Sequence, residues 1–357
     1  MKTYIKFLIS KFTKSFLNVF FVMFSLVLIL NILKEIEFFS EKNVNSFYPI
    51  YLSIMSSPSV IFEMFPFIFL IATQFFFIKL FENDEINVFK YSGLKNIKIV
   101  KVLSLVSFFM GILIITVFYS LSSNLQNYYL QVKNQFSKDK IYLAVINKNG
   151  LWIKDVIEDE IKIINSSKID KNFLTNTFIT VFDKNFKLIR SLKSDKIDIK
   201  NNEWLVYDVT IFENNISRKS SLIKFNSNFN HEKIESLFSK LSSLSLLQLI
   251  DLRNNYKMLN YSIIDVDIQI YKIISYPILL ILMTVLSANI MFSTRYNYNK
   301  VIKIIIGLFF SVAIYYINNF FNVMGSTEKI PLMISIWTPI VFLSLINLIM
   351  LTNINEK

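Results

Sequence analysis

Apolar residues in this chain are concentrated in long runs that charged segments separate. Each run is long enough to cross about 30 Å of hydrocarbon as a helix. The pattern therefore predicts a membrane α-helical protein with six transmembrane helices. We expect their apolar cores at Phe16–Leu33, Val60–Leu80, Val102–Leu121, Ile273–Phe292, Ile304–Phe321 and Ile330–Leu351.

The stretch between the third and fourth runs has a different pattern, because short alternating segments replace the long apolar ones. Phe178–Phe182 and Phe186–Arg190 flank a short turn, which predicts a β-hairpin. Lys196–Lys200 and Trp204–Phe212 flank a second turn in the same way. Short strands with close turns across Ile141–Phe225 predict an all-β, jelly-roll-like or sandwich domain inserted between helices 3 and 4.

The order of these elements predicts three parts. We expect helices 1–3 in residues 1–121, the β domain with flanking helical connectors in residues 122–270, and helices 4–6 in residues 271–357. One connector is expected to be an amphipathic helix from Ser245 to Asn260. Its apolar face is expected to hold Leu246, Leu247, Ile250 and Leu252.

Basic residues predict the orientation in the membrane. No small-residue cleavage site follows the first run, which predicts a retained anchor, and the lysines before it predict a cytoplasmic N-terminus. These lysines are Lys2, Lys6, Lys11 and Lys14. The crossings that follow place the β domain in the periplasm and the C-terminus in the cytoplasm. Arg295, Lys300 and Lys303 form a short basic loop on the inner side, as this count requires.

The segment Glu82–Lys101 is short, charged and too polar to lie in a bilayer. Asn83 is suited to cap a helix whose first turn carries Asp84 and Glu85. Gly93 is suited to end that helix in a left-handed turn. These signals predict a helix of roughly three turns.

One face of this predicted helix combines an apolar side chain with a carboxylate. Ile86 and Phe89 fall on one side, and Glu85 lies close to them at three- and four-residue spacing. Two interpretations follow. The segment is a basic cytoplasmic loop that only fixes the topology, or it is a helix that docks on a cytosolic partner.

Composition excludes several classes of function. The chain is 53% hydrophobic, more than one soluble core needs, and its net charge of +12 comes from lysines spread along its length rather than from a nucleic-acid-binding stripe. It has no cysteine, one histidine, His231, and five glycines, none of them spaced as in a P-loop. We therefore expect no ATPase site, no cofactor and no metal site. An intramembrane enzyme would also lack paired mid-helix acids for its chemistry.

Polar residues near the outer ends of the apolar runs are the remaining candidates. Asn318 and Asn319 lie near the outer end of helix 5, where interhelical hydrogen bonds and substrate contact are alternatives. Glu63 and Pro66 lie near the outer end of helix 2, where a carboxylate costs less than at mid-bilayer. Lys34 marks the outer end of helix 1.

The order of parts and several motifs resemble the LptF/LptG family, the permease subunits of the lipopolysaccharide export system. Asp84-Glu85-Ile86 precedes Tyr91-Ser92-Gly93 at the spacing that the family shows between an acidic residue and a glycine, although Asp84 replaces the usual serine and Tyr91 a smaller residue. Other matches are Ser57-Pro58, Phe65-Pro66, Gly150-Leu151-Trp152-Ile153-Lys154-Asp155, and Tyr271-Lys272-Ile273 with Pro277. The motif that ends in Asp155 is more similar to the LptG type.

The resemblance implies an ABC transporter permease. Such a permease would extract lipopolysaccharide from the outer leaflet of the inner membrane and pass it to a periplasmic β-domain bridge. Its partners would be a paralogous permease subunit, a cytosolic ATPase dimer and a bitopic periplasmic bridge protein. The resemblance covers nearly the whole chain.

The resemblance also implies roles for individual residues. Asn83–Gly93 would be the coupling helix, with Glu85 bonded to the ATPase and Phe89 filling its groove. The remaining coupling residues would be Asp84, Ile86 and Gly93.

The lipid would enter between helices 1 and 5, with Lys34 at a lipid phosphate and Asn318 as a second substrate contact. An alternative from another class is a non-transporting membrane scaffold or receptor whose periplasmic β domain binds a ligand.

Overall fold

The computed structural model describes residues 3–40, 45, 47–136, 151–157, 160–170, 172–213, 216–231, 234, 241–258, 262–293, 300–352 and 354. The chain divides into two compact units. The helical unit comprises Met1–Tyr129, Ser242–Leu249 and Ile264–Lys357, and the β unit comprises Leu130–Leu241 and Ile250–Ile263. Gly150 and Arg295, which the sequence singled out, lie outside the described residues.

The helices of the first part of the chain are α1 (Thr3–Phe39), α2 (Phe47–Glu82), α3 (Glu85–Tyr91), α4 (Asn96–Leu113) and α5 (Ser120–Gln135). A π-helical segment, Ile114–Tyr119, joins α4 to α5. After a 3-10 turn at Leu241–Ser243 the chain forms α6 (Leu246–Met258), α7 (Ile264–Ser293), α8 (Lys300–Ser326) and α9 (Leu332–Thr352).

Six helical stretches among the described residues are long and apolar enough to cross a membrane, which confirms the predicted number. They are Thr3–Phe39, Phe47–Glu82, Asn96–Lys133, Ile264–Phe292, Val301–Ser326 and Leu332–Thr352. Most extend beyond the predicted apolar cores, because polar residues at their ends continue the helix. Alternating crossings place α3 at one end of the bundle. The helical unit is interrupted after Tyr129 and continues with Ser242–Leu249 and from Ile264 onward. Tyr129 and Ile264 belong to the end of the bundle opposite α3, here called the connector end.

The centre of the helical unit is built by α2 and α7. The apolar windows of these two spans are 67% and 72% buried, whereas those of α1 and α8 are only 17% buried. Close packing has identifiable causes: a Cβ on Gly111 would lie 3.0 Å from the Cα of Pro277, so the missing side chain brings α4 against α7. A hydrogen bond of 2.8 Å between the hydroxyls of Ser107 and Thr284 joins the same two helices.

Paired asparagines join α7 to α9 in the interior of the bundle. The Asn289 side-chain amide donates to the side-chain oxygen of Asn347 at 3.1 Å, and the Asn347 amide donates to the carbonyl of Leu282 at 3.0 Å. Both side chains are buried. Because lipid offers no partner to a polar group, such bonds favour one arrangement of the helices over others.

The β unit contains a six-stranded antiparallel sheet whose strands pair in chain order, β1 to β6. The strands are β1 (Leu151–Ile157), β2 (Glu160–Asp170), β3 (Phe173–Phe182), β4 (Leu188–Asp198), β5 (Glu203–Glu213) and β6 (Ile216–Asn226). This confirms the all-β domain and both predicted hairpins. A row of cross-strand partners supplies the buried face: Ile153, Ile164, Ile179 and Leu192.

Asp155, the last residue of the motif at the start of the domain, is fully buried in β1. Its carboxylate accepts hydrogen bonds from the Ser227 hydroxyl at 2.8 Å, the Asn228 backbone amide at 3.0 Å and the Asn228 side-chain amide at 2.9 Å. These bonds tie β1 to the segment that follows β6. The motif residue thus attaches the segment after β6 to β1, and three donors satisfy its buried carboxyl group.

The connector helix α6 forms where expected, but its buried face differs from the predicted one. Leu249 and Leu252 are buried, whereas Leu247 and Ile250 are exposed. The three-residue spacing of the two buried leucines places them on one side of the helix. The predicted set of Leu246, Leu247, Ile250 and Leu252 was therefore wrong in part, because it combined residues from two sides.

Candidate functional site

The candidate coupling segment forms a shorter helix than predicted. Glu82 ends α2, the turn takes up Asn83 and Asp84, and α3 begins at Glu85. The N-cap position is held by Asp84 with a left-handed φ of 58°, and its side chain makes no capping bond. The expectation that Asn83 caps the helix was wrong, since α2 continues further than its apolar pattern indicates. The seven residues of α3 make about two turns.

The end of α3 follows the prediction. Gly93 has a φ of 73°, its backbone amide donates to the carbonyl of Lys90 at 2.9 Å, and the amide of Leu94 donates to the carbonyl of Phe89 at 2.9 Å. This pair of bonds is a Schellman motif, which needs a left-handed residue at the position of Gly93. Glycine takes that conformation without the steric cost of a side chain.

The inner face of α3 is fixed to the bundle. Ile86 is 4% exposed, and the ring of Phe89 packs edge-on against Phe7 of α1 with 6.0 Å between ring centroids. The Glu85 carboxylate forms an ion pair with the ammonium of Lys11, also on α1. These partners on α1 lie more than seventy positions from α3 in the sequence, so no local pattern could have identified them.

The outer face of α3 consists of other residues. Val88 is 59% exposed and Tyr91 is 90% exposed. With the exposed Asp84 they follow a spacing of four and three residues, which is one stripe on a helix. A partner that approaches this end of the bundle would therefore meet Asp84, Val88 and Tyr91 first, with Glu85 and Phe89 at the margin.

A cavity of about 340 Å³ with both polar and apolar lining lies between the helices in the half of the bundle nearer the connector end. Side chains from α2, α7, α8 and α9 line it, together with Tyr119 of the π-helical segment and Ser122. The polar lining includes Ser59, Glu63, Gln269, Lys272, Ser311, Asn318, Asn319, Asn322 and Ser335. A cavity with this many polar groups is unusual inside a bundle of apolar helices and marks a candidate binding site.

One wall of the cavity depends on a proline in α2. Pro66 has no backbone N–H, so the carbonyl of Phe62, one turn earlier, lacks its helical donor. The Tyr276 hydroxyl of α7 donates to this carbonyl, and the rings of Phe62 and Tyr276 stack at 4.7 Å between centroids. The break in the helix ladder is thereby satisfied from a neighbouring helix.

The two predicted substrate residues are not brought together in this cavity. Asn318 lines it, whereas Lys34 lies exposed on α1 and is not among the lining residues. Next to Lys34, Glu35 is buried and accepts a hydrogen bond of 2.8 Å from the Tyr129 hydroxyl. Glu63 and Lys272 lie in two different helices, more than two hundred positions apart in the sequence. Only the fold shows that both face the same space as Asn318.

Comparison with known families identifies the family to which the chain belongs. Residues 6–353 match the family model described as lipopolysaccharide export system permease LptF/LptG. The chain belongs to the LptF/LptG family. No curated protein sequence matches the chain.

Membership makes this LptF/LptG protein a permease of the lipopolysaccharide export system and a multi-pass protein of the inner membrane. The predicted resemblance is confirmed over nearly the whole chain, while the match does not distinguish LptF from LptG. The helices that precede and follow the sheet agree with the family architecture that the resemblance implied.

Proposed function

We propose that this LptF/LptG permease extracts lipopolysaccharide from the outer leaflet of the inner membrane and passes it to a periplasmic β-domain bridge. A separate cytosolic ATPase dimer supplies the energy, since the sequence has no P-loop spacing. The observation that carries the proposal is α3, a helix with a Schellman motif at its C-terminal end that is fixed to the bundle and presents an exposed stripe.

The charge distribution supports a cytoplasmic location for α3. The α3 end of the bundle is rich in lysine on the N-terminal helix, on α3 itself and on the segment after α3. These lysines are Lys6, Lys11, Lys14, Lys90, Lys95, Lys98 and Lys101. Positive charge near the ends of spans favours the cytoplasmic side. Both termini are then cytoplasmic and the β domain, proposed for residues 122–270 with its connectors, is periplasmic.

The coupling contact combines the predicted residues with the exposed stripe. Glu85 retains about a quarter of its side-chain exposure beside Lys11, so a donor on the ATPase can share its carboxylate. Asp84 lies on the outer face and Ile86 and Phe89 anchor the helix. Gly93 shapes its end. Tyr91, with 90% exposure, becomes the aromatic anchor on the partner side.

The surfaces of α1 and α8 support a pairing with a paralogous permease. These two spans bury only 17% of their apolar windows within the chain. A second permease placed against them would enclose a space for the acyl chains of the substrate. Lys34 on α1 would then pair with a lipid phosphate, and Asn318 on α8 would provide a hydrogen bond.

The sheet supports transfer through strand addition. Among the described strands, β1 pairs only with β2 and β6 only with β5, so each has one unpaired edge. Unpaired edges are templates for another strand. We propose that the bitopic bridge protein joins the β domain at one of these edges.

Co-purification with the paralogue and the ATPase tests the coupling role. Glu85→Lys should lower ATPase retention and ATP hydrolysis, because it reverses the charge at the contact and opposes Lys11. Glu328→Lys, an exposed acid far from α3 in the sequence, is the matched control and should behave as wild type. Equal retention and equal hydrolysis for Glu85→Lys and wild type would contradict the proposal.

The same preparation distinguishes the permease from the alternative, a non-transporting scaffold or receptor. A scaffold or receptor would fold without an ATPase and would show no lipid crosslinks from photoreactive residues at Lys34 and Asn318. The permease proposal expects lipopolysaccharide crosslinks at these helical positions. Crosslinks confined to the β domain would favour the receptor.

A further inference from the structure

The cavity near the connector end carries one charge of each sign. Glu63 reaches it from α2 and Lys272 from α7, and every other residue that lines it is uncharged. The formal charge of the lining is therefore zero. A carboxylate and an ammonium in a membrane-spanning bundle are costly unless each has a counter-charge.

Glu63 and Lys272 do not neutralise each other by direct contact. The ion pairs between described residues join Lys11 to Glu85, Glu160 to Lys162 and Arg190, and Lys224 to Glu203, and include neither cavity charge. Glu63 and, to a smaller extent, Asp265 of α7, which does not line the cavity, are nevertheless close enough to act electrostatically on Lys272. The two charges thus face one space and are separated by a gap.

The remaining lining suits the polar part of an amphiphile. Asn318, Asn319 and Asn322 offer amide donors and acceptors from α8, and Ser275 adds a hydroxyl from α7. Leu279 and other apolar residues complete the wall. This division between polar and apolar lining is typical of small-molecule sites.

We infer that this cavity binds the headgroup of a zwitterionic phospholipid, with its phosphate on Lys272 and its primary ammonium on Glu63. A phosphoethanolamine group offers both charges and satisfies both side chains. A lipid with phosphate alone gains from Lys272 but is repelled by Glu63. The cavity therefore discriminates against anionic lipids.

The inference goes beyond export and gives Asn318 a different partner from the one proposed above. If Asn318 contacts a resident phospholipid, the substrate route relies on the outward surfaces of α1 and α8. The export proposal assigns no role to Lys272, whereas the inference depends on it, so the failures of the two proposals can be told apart.

Native mass spectrometry of the full-length chain in detergent tests the inference, with equal amounts of phosphatidylethanolamine and phosphatidylglycerol of matched acyl chains. Wild type should retain phosphatidylethanolamine preferentially. Lys272→Gln should lower binding of both lipids about tenfold, as expected when a charge-assisted hydrogen bond is lost. Glu63→Gln should lower the preference for phosphatidylethanolamine about tenfold, because it removes a partner of the ammonium and the repulsion of the anionic lipid.

Controls separate a site effect from unfolding. Lys329→Gln removes an exposed lysine that does not line the cavity and should leave both lipids as in wild type. Lys272→Arg keeps the positive charge and should retain phosphatidylethanolamine. Each variant is checked by its elution volume and thermal unfolding. If Lys272→Gln does not fold, the lipid preference of Glu63→Gln decides whether the inference holds.

Three results would overturn the inference. One is an unchanged lipid preference in Glu63→Gln, and another is unchanged phosphatidylethanolamine binding in folded Lys272→Gln. The third is displacement of phosphatidylethanolamine by added lipopolysaccharide whose binding also needs Lys272, which would make the cavity a substrate subsite. ATP hydrolysis by the assembled complex is measured in parallel. Loss of lipid preference with intact hydrolysis leaves the proposed export function standing.

Discussion

The hydroxyl of Tyr276 supplies a hydrogen bond that α2 cannot make within its own backbone. Pro66 leaves the carbonyl of Phe62 without its helical donor, and Phe62 is only 8% exposed. A buried carbonyl without a donor is costly, so a donor from another helix is needed. It comes from α7, so the Tyr276 hydroxyl joins α2 to α7 together with the bond from the Ser287 hydroxyl to the carbonyl of Leu70.

Tyr276→Phe is expected to destabilise the helical unit by about 1–3 kcal/mol, since it keeps the ring but leaves the Phe62 carbonyl unpaired. The measurement is the thermal unfolding midpoint of the detergent-purified chain. Tyr316→Phe makes the same chemical change at a side chain that is 66% exposed, and it should leave the midpoint unchanged. Equal midpoints for the two variants would show that the Tyr276 hydroxyl does not stabilise the bundle.

At the scale of elements, α3 depends on α1 for its position. A helix of two turns is marginal in isolation, so its stability must come from packing. The Lys11–Glu85 ion pair and the Phe7–Phe89 ring contact supply two attachments on one side. A movement of α3 would therefore be passed to α1 directly.

Lys11→Glu should loosen α3, because it places two carboxylates where an ion pair stood. We expect faster backbone hydrogen exchange in Glu85–Tyr91, corresponding to about 1 kcal/mol of lost protection for a partly exposed pair. The double variant Lys11→Glu with Glu85→Lys should restore slow exchange in the chain alone. Lys14→Glu, one turn further along α1 and exposed, is the control for added negative charge. Failure of the double variant to restore protection would argue against the ion pair.

The case of α3 shows how far sequence determines an element. Gly93 was predictable, because a Schellman end depends on local bonds and a left-handed residue. The start was not, since it depends on where α2 stops. The orientation of Phe89 was not predictable either, because Phe7 lies far away in sequence.

At the scale of the whole molecule, hydropathy predicts spans but not their neighbours. The windows of α2 and α8 have the same mean hydropathy, yet 67% of one and 17% of the other are buried. Lipid and protein interior are similarly apolar, so a helix face does not reveal which of them it meets. The cavity was hidden for the same reason, since helices from both halves of the chain build it.

Orientation is the property of the whole molecule that lysine placement predicts most directly. The chain has no cysteine, so a single introduced thiol can be labelled without background. Tyr91→Cys places a thiol at the exposed end of α3, and Asp195→Cys places one on an exposed position of β4. Wild type serves as the unlabelled control.

In spheroplasts, a membrane-impermeant maleimide should label Asp195→Cys at once and Tyr91→Cys only after the membrane is permeabilised. The physical reason is the excess of lysine around α3, which favours retention of that end in the cytoplasm. Labelling of Tyr91→Cys in intact spheroplasts would place α3 outside. An ATPase could not then reach its exposed stripe, and the coupling proposal would fail together with the periplasmic location of the sheet.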